Sequence, residues 1–335
     1  DINASNLTIA ENSAIGTVIG EFNATDPDGD TNITFSLASQ LPADLNMSLW
    51  LDASDASTIT HSNGSVSQWT DKSGNNRNAT QSTDSRKPTF VDSDSFLNNK
   101  PSIKSNSQNG KIGLSIQTTT LQELFIVAYY KNGLDDNFDN YNTLISGSGS
   151  NGAYRIMGSV GSSNWHHTDI FNNFGNYQNG TSFSSMSVLP LPVSILRFTS
   201  SVPRTDSRSV LFNQTWDDRG WIGGVGEIIG FSNIINPTHR LSVESYLAQK
   251  WGLVDDFPSD HPTRIFSVDQ NGTLSVNQTF DYETDDLNYT ITVRATDDHN
   301  ASFDKNFTIT VANVVEDLDG DGIEDHNDTD IDGDG

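Results

Sequence analysis

The chain has 335 residues, enough for two or three compact units. Its 44 acidic and 18 basic residues give a net charge of −26, a surface that repels nucleic acid and anionic lipid. The absence of cysteine excludes disulfide scaffolds, thiolate zinc sites and cysteine nucleophiles, and no apolar run approaches the ~18 residues needed to cross a bilayer. Six Trp, eight Tyr and seventeen Phe nevertheless supply large apolar groups for a core.

The charge is unevenly spread and marks boundaries. Residues 1–45 hold seven acids and no base, and residues 263–315 hold eight acids and three bases. The 217 residues between hold nineteen acids and fifteen bases, a net of only −4, whereas the last twenty hold ten acids and no base. The chain reads as a mature segment of a longer protein, with a split domain (1–45 plus 263–315), an insert (46–262) and an acidic tail (316–335).

Taken in order, residues 7–39 alternate apolar and polar positions and turn at Asp26-Pro27-Asp28-Gly29-Asp30, the pattern of short antiparallel strands. The middle contains about ten strand-like runs, including Leu124–Tyr130, Ser194–Phe198, Ser209–Asn213 and Gly226–Ser232. One helix is predicted near its end. Asn236 caps it, Pro237 opens it, Val243, Leu247 and Trp251 share a face, and Gly252 ends it. Residues 264–314 return to alternation, with Asn271-Gly272 as a hairpin signal. Each terminal segment is too short for a sandwich; together they have the size of one.

The first segment resembles the start of a cadherin repeat, through Glu11-Asn12 and Ala24-Thr25-Asp26-Pro27-Asp28, and the last resembles its second half, through Asp281-Tyr282-Glu283 and Ala295-Thr296-Asp297. The resemblance implies an all-β fold: a Greek-key, immunoglobulin-like sandwich holding several Ca²⁺ ions. Glu11, Asp281 and Glu283, with Asn313, Glu316 and Asp317, would hold ions shared with a following module, while Asp26, Asp28 and Asp297 would face a preceding one. The linker, Asn-Val-Val-Glu-Asp, departs from the usual Asp-x-Asn-Asp-Asn, which weakens its ligand assignment. Calcium takes six to eight oxygens, which explains the residue types; the plain alternative is that Asp and Gly simply favour turns.

In the tail, Asp317, Asp319 and Asp321 stand at positions 1, 3 and 5 of a calcium loop. Gly322 follows at 6, Ile323 at 7 for its carbonyl, Asp325 at 9 and Asp328 at 12. Asp328, Asp330, Asp332 and Asp334 begin another copy. This spacing resembles the thrombospondin type 3 repeat; a solvated acidic tail is the alternative.

The insert resembles a laminin G-like, concanavalin A-like jelly roll at both ends, through Leu49-Trp50-Leu51-Asp52, Trp69-x-Asp71-x-Ser73-Gly74-Asn75 and the closing strand and helix. That fold houses glucanases and non-catalytic binding modules alike, so the site must decide. Its three glutamates, Glu123, Glu227 and Glu244, show no carboxylate partner at strand spacing, so no catalytic residue and no enzyme activity are expected. Trp165, Phe171, Phe174 and Tyr177 lie among Asn and Gly, a composition suited to stacking on sugars, with a half-buried strand pair as the alternative. His166 and His167 face opposite ways on a strand and share an ion poorly. Asp71 and Asn75 fit a structural ion or a turn equally well.

Fifteen Asn-x-Ser/Thr sequons occur, and ten of them crowd into the terminal segments and tail: Asn3, Asn6, Asn23, Asn32, Asn271, Asn277, Asn288, Asn300, Asn306 and Asn327. Strand alternation places Asn and Thr on one exposed face, but the excess favours N-glycosylation of an extracellular surface. The leading expectation is a calcium-rigidified segment of a cell-surface adhesion protein. Its partners would be neighbouring repeats and a glycan or surface-protein ligand, with no nucleic acid and no membrane insertion. A subunit of a surface filament, sheath or S-layer is the alternative, and a secreted glycan hydrolase a third. On fold, the alternative is two sandwiches in tandem, decided by whether strands flanking residues 46–262 share a sheet.

Overall fold

The computed structural model describes the chain except residues 27–28, 30–31, 39–40, 107–111, 148–154, 166–174, 184–186, 213–218, 300, 321, 328, 330 and 332–335, and the side chains of 206–210. Two compact units form: unit 1 is Asp1–Gln40 with Ser259–Gly335, and unit 2 is Leu41–Pro258. Both are built from strands, and a single α-helix occurs among the described residues.

Unit 1 opens with β1 (Ile2–Ala4), β2 (Thr8–Ala10), β3 (Val18–Ala24) and β4 (Thr34–Leu37). Unit 2 follows with β5 (Leu49–Asp52), β6 (Ile59–Ser62), β7 (Ser65–Trp69), β8 (Ala79–Thr80), β9 (Thr89–Asp94), β10 (Lys100–Asn106) and β11 (Leu114–Ala128). It continues with β12 (Thr143–Gly147), β13 (Arg155–Met157), β14 (Gly175–Gln178), β15 (Thr181–Ser182), β16 (Ser194–Leu211), β17 (Ile222–Phe231) and α1 (Pro237–Trp251). The chain then returns to unit 1 with β18 (Phe266–Val268), β19 (Thr273–Val276), β20 (Asn288–Thr296) and β21 (Ser302–Ala312).

Unit 1 is a sandwich of two four-stranded sheets, β1-β3-β19-β18 and β2-β21-β20-β4. Strands from both sides of unit 2 share each sheet: Thr273 pairs with Glu21, and Ala295 with Phe35. Alternation drives this arrangement. Ile19, Phe22, Leu274 and Val276 from one sheet meet Ile9, Phe35, Val293 and Ile309 from the other in one core. Gly272 turns the β18–β19 hairpin at φ +93°, and a Cβ there would lie 2.5 Å from the Phe22 carbonyl oxygen.

In unit 2, thirteen strands bond into one sheet that closes on itself through β11. The first part of β11 pairs with β8 and its last part with β17, while β16 lies along its other edge. Its apolar run is buried on both faces. Leu124, Ile126 and Ala128 enter one core, and Phe125, Val127 and Tyr129 enter a second, beneath α1. The helix matches its sequence signals: the Asn236 side chain accepts from His239 N–H at 2.8 Å, and Gly252 caps the other end at φ +70°. Gly226 lets α1 close on the sheet, because a Cβ there would lie 2.6 Å from the Trp251 ring.

One reading changes. Ser194–Phe198 and Ser209–Leu211 are two ends of the same eighteen-residue strand, β16. Pro203 and the polar residues around it resemble a break, but they lie beside a register shift against β11, where a ladder hydrogen bond is dispensable.

Candidate metal centre

Glu11, Asp281 and Glu283 come together in unit 1, each offering a carboxylate oxygen within 4.8 Å of the others. Glu11 follows the end of β2, which runs parallel to β21, and this pairing delivers it beside the chain leaving β21. Glu11 is 3% exposed, and its carboxylate holds two loops at once. Oε1 accepts from Val314 N–H at 2.6 Å and Oε2 from Tyr282 N–H at 2.7 Å. Asn12, left-handed at φ 57°, donates through Nδ2 to Glu316 Oε1. Asn313 Nδ2 lies 3.2 Å from Glu283 Oε1, so the cluster extends into the segment after β21.

The electrostatics are those of crowded anions. Partial desolvation and then the Glu11 carboxylate push Glu283 above its ordinary value. Hydrogen bonds from Thr284 and from the Glu283 backbone hold Asp281 below the usual carboxylate range. No Lys or Arg pairs with these three acids among the described residues; the nearest cationic candidate is His326, with Nδ1 3.7 Å from Glu283 Oε1. The three acids offer carboxylate oxygens, the donor type a hard cation prefers.

The following segment is folded into turns. Asp317 accepts from Gly320 N–H at 2.8 Å and Gly322 N–H at 3.0 Å, with both glycines at positive φ. Asp325 Oδ1 accepts from Leu318 N–H at 2.8 Å and its own N–H reaches the Glu316 carbonyl at 2.7 Å. Asp317 and Asp325 thus bracket one loop, on which Asp319 and Ile323 also sit. Asp321, Asp328, Asp330, Asp332 and Asp334 lie outside the described residues.

At the opposite end of the sandwich, Asp26 and Asp297 border a cavity of 360 Å³ together with Asp1. Asp297 Oδ1 organises the β20–β21 turn, accepting from His299 and Ala301 N–H at 2.8 Å each. The close set there is Asp297, Asp298 and His299, which does not include Asp26, and Asp28 lies outside the described residues.

In unit 2 the sugar-stacking expectation is corrected at Trp165. Trp165 is 2% exposed and packs in the core, stacked on Trp221 at 6.2 Å and edge-on to Phe198 at 5.9 Å. Composition suggested an exposed face, but the bridge between Gly158 and Trp165 places this ring among the core aromatics. Tyr177 is half-buried with the Arg197 guanidinium over its ring at 3.5 Å; Phe171, Phe174, His166 and His167 lie outside the described residues. Asp71 is a turn organiser, accepting from the N–H groups of Trp50, Ser73 and Arg77.

No insert glutamate has a carboxylate partner at strand spacing along the sequence, but cross-strand register supplies one. Glu227 stands directly opposite Asp52 between β17 and β5, a register that only strand pairing reveals. Glu227 is fully buried, and Glu123 and Glu244 flank the buried Arg197 at 3.2 and 3.3 Å. These acids have protein cations as partners.

Of the sequons, Asn3, Asn6, Asn23, Asn32, Asn271, Asn288, Asn306 and Asn327 are exposed, and Asn300 lies outside the described residues. Asn277 is half-buried, its amide nitrogen donating to the Arg264 carbonyl at 2.8 Å. Asn288 and Asn306 belong to a cross-strand ladder, accepting from the Thr310 and Thr292 hydroxyls at 3.2 and 2.8 Å.

No family model and no curated protein matches the chain. Among solved structures, a protocadherin gammaB7 EC3-6 cis-dimer structure aligns over 93% of this chain and 72% of that chain, at 10% identity and a TM-score of 0.14. At that score the likeness carries no argument.

Proposed function

We propose that unit 1 binds calcium and that the chain is a calcium-rigidified extracellular segment of a cell-surface protein. The observation that carries this reading is the Glu11, Asp281 and Glu283 cluster. Three carboxylates share one small space, and a cation from solution relieves their repulsion. Glu11 and Asn12 also grip the chain between 314 and 316, so an ion at this place would stiffen the exit from the sandwich towards the acidic tail. The cadherin-like motifs, the inserted concanavalin A-like jelly roll and the thrombospondin-like Asp spacing are consistent with the same reading. Within it, unit 2 is the module that meets a glycan, a surface protein or a like protomer, and the exposed sequons face the extracellular medium. No helix described here is long and apolar enough to cross a membrane.

Calorimetry of the whole chain with added CaCl₂, MgCl₂ or EGTA tests the reading. Calcium is expected to raise the melting transition of unit 1 alone, by about 2.7 kcal/mol of stability at a hundredfold excess over Kd. Asp281→Asn with Glu283→Gln removes that shift, since neither residue belongs to the core. A chain that takes up no calcium at ~1 mM and melts identically in EGTA overturns the proposal.

A further inference from the structure

Unit 2 contains a second concentration of charge, independent of the calcium reading, where β5, β17 and α1 meet. Lys250 Nζ lies 2.7 Å from Asp52 Oδ1 and 2.8 Å from Glu227 Oε2. Glu227 is 0% exposed and Asp52 3%. Aromatic side chains enclose the group and orient Glu227: Trp50 Nε1 donates to it at 2.7 Å, Trp251 Nε1 at 2.8 Å and the Tyr246 hydroxyl at 3.0 Å. A primary amine is thus held in contact with two carboxyls that are almost wholly buried. We propose that Lys250 and Asp52 condense into an intramolecular isopeptide bond, with Glu227 carrying the protons.

Each atom of the step has a place. Glu227 Oε2 takes a first proton from Nζ and passes it to Asp52 Oδ2, which turns the carboxylate into an electrophilic carboxyl group, and the freed lone pair on Nζ then forms the C–N bond to Asp52 Cγ. Negative charge develops on Oδ1, which already accepts from Ser54 N–H at 3.0 Å and the Ser54 hydroxyl at 2.7 Å, two donors aimed at that oxygen. The Cγ–Oδ2 bond breaks, and both protons shed by the nitrogen depart on Oδ2 as water. Glu227 returns to its starting state. Lys72 Nζ, 2.9 Å from Oδ2, offsets the charge on the departing oxygen. An ammonium and a carboxylate become one neutral amide and one water, with no oxidant or co-reactant.

Two physical effects favour the amide here, although water opposes it in solution. Groups held in register react as if at effective concentrations of up to about 10⁸ M. Condensation also removes two charges whose burial is costly. Burial pushes Glu227 above its ordinary value, which makes it a stronger base towards the Lys250 ammonium. The bond would join residues 52 and 250, near the two ends of unit 2, and a chain without cysteine has no disulfide to do so. Lys72 is the competing amine, but it sits between Asp52 and Asp55, and Glu227 has no ion pair with it among the described contacts.

Tandem mass spectrometry of proteolytic peptides from the full chain tests the proposal. The peptides carrying Asp52 and Lys250 are expected as one branched species, lighter than their sum by one water. Lys250→Arg keeps the charge but cannot form this amide, and its peptides are expected to separate at full mass. Asp52→Asn is expected to join with loss of ammonia in place of water. Separate, full-mass peptides from folded wild-type protein overturn the proposal, and so does a junction at Lys72.

Discussion

The two units treat buried acid in opposite ways. In unit 2 four glutamate and aspartate carboxylates are neutralised from within, Glu123 and Glu244 by Arg197, and Asp52 and Glu227 by Lys250, while buried Asp71 is spent on the N–H groups of a turn. In unit 1, Glu11 is as buried as Asp52, yet its carboxylate neighbours are Asp281 and Glu283. Its own hydrogen bonds come from backbone N–H groups, which orient it without supplying a full charge. The difference teaches where each unit's stability depends on the medium. Unit 2 pairs most of its buried acids with its own cations, whereas unit 1 is proposed to take one from solution, which is why calcium is expected to move only its transition.

The sharpest test of the self-neutralised side is Arg197→Ala. It removes the buried ion pairs of Glu123 and Glu244 while the Ile235 N–H bond to Glu123 stays in place, so unit 2 should lose about 3–5 kcal/mol in urea denaturation. It also uncovers the Tyr177 ring, with a near-ultraviolet circular dichroism change as the second readout. A loss below about 1 kcal/mol breaks the contrast, since that is the range of exposed pairs.

A smaller effect follows from pH. Burial pushes Glu123 above the ordinary glutamate value of 4.5, outweighing the Ile235 N–H and Arg197 that act the other way. The folded state therefore binds a proton that the unfolded state has released, and stability is greatest below 4.5 and falls as pH rises through the raised value. The slope of unit 2 stability in that window should be at most about 1.4 kcal/mol per pH unit, and Glu123→Gln should flatten it. A slope unchanged in Glu123→Gln assigns it to another group.

Much of the framework was legible because it rests on local pattern. The α1 caps, the Asn271-Gly272 hairpin and the inward alternation of Ile19, Phe22, Val293 and Ile309 are written in short windows of sequence. The acids of the candidate metal centre were legible as types, since Glu11, Asp281 and Glu283 stood out in their motifs. What was not legible depends on pairing over long separations. Asp52 and Glu227 meet through strand register, Lys250 reaches them from a helix, and no window contains all three. Trp165 misled because Asn and Gly around an aromatic look like a binding loop, whereas its burial depends on Trp221 and Phe198, far along the chain.

The smallest expected effect lies with the exception inside unit 1, where Arg294 holds Asp304 with two bonds of 2.7 and 2.8 Å. The geometry is bidentate, but Arg294 is 45% exposed, and water screens the attraction that burial preserves around Arg197. Arg294→Ala should therefore cost about 0.2–1 kcal/mol, and less in high salt. It leaves the Glu11 cluster untouched, so the calcium shift of unit 1 should survive. Loss of that shift in Arg294→Ala would mean that the cation site depends on the sheet's own ion pairs. The acids of unit 1 would then have to be read as one coupled network, and the contrast with unit 2 would narrow to exposure alone.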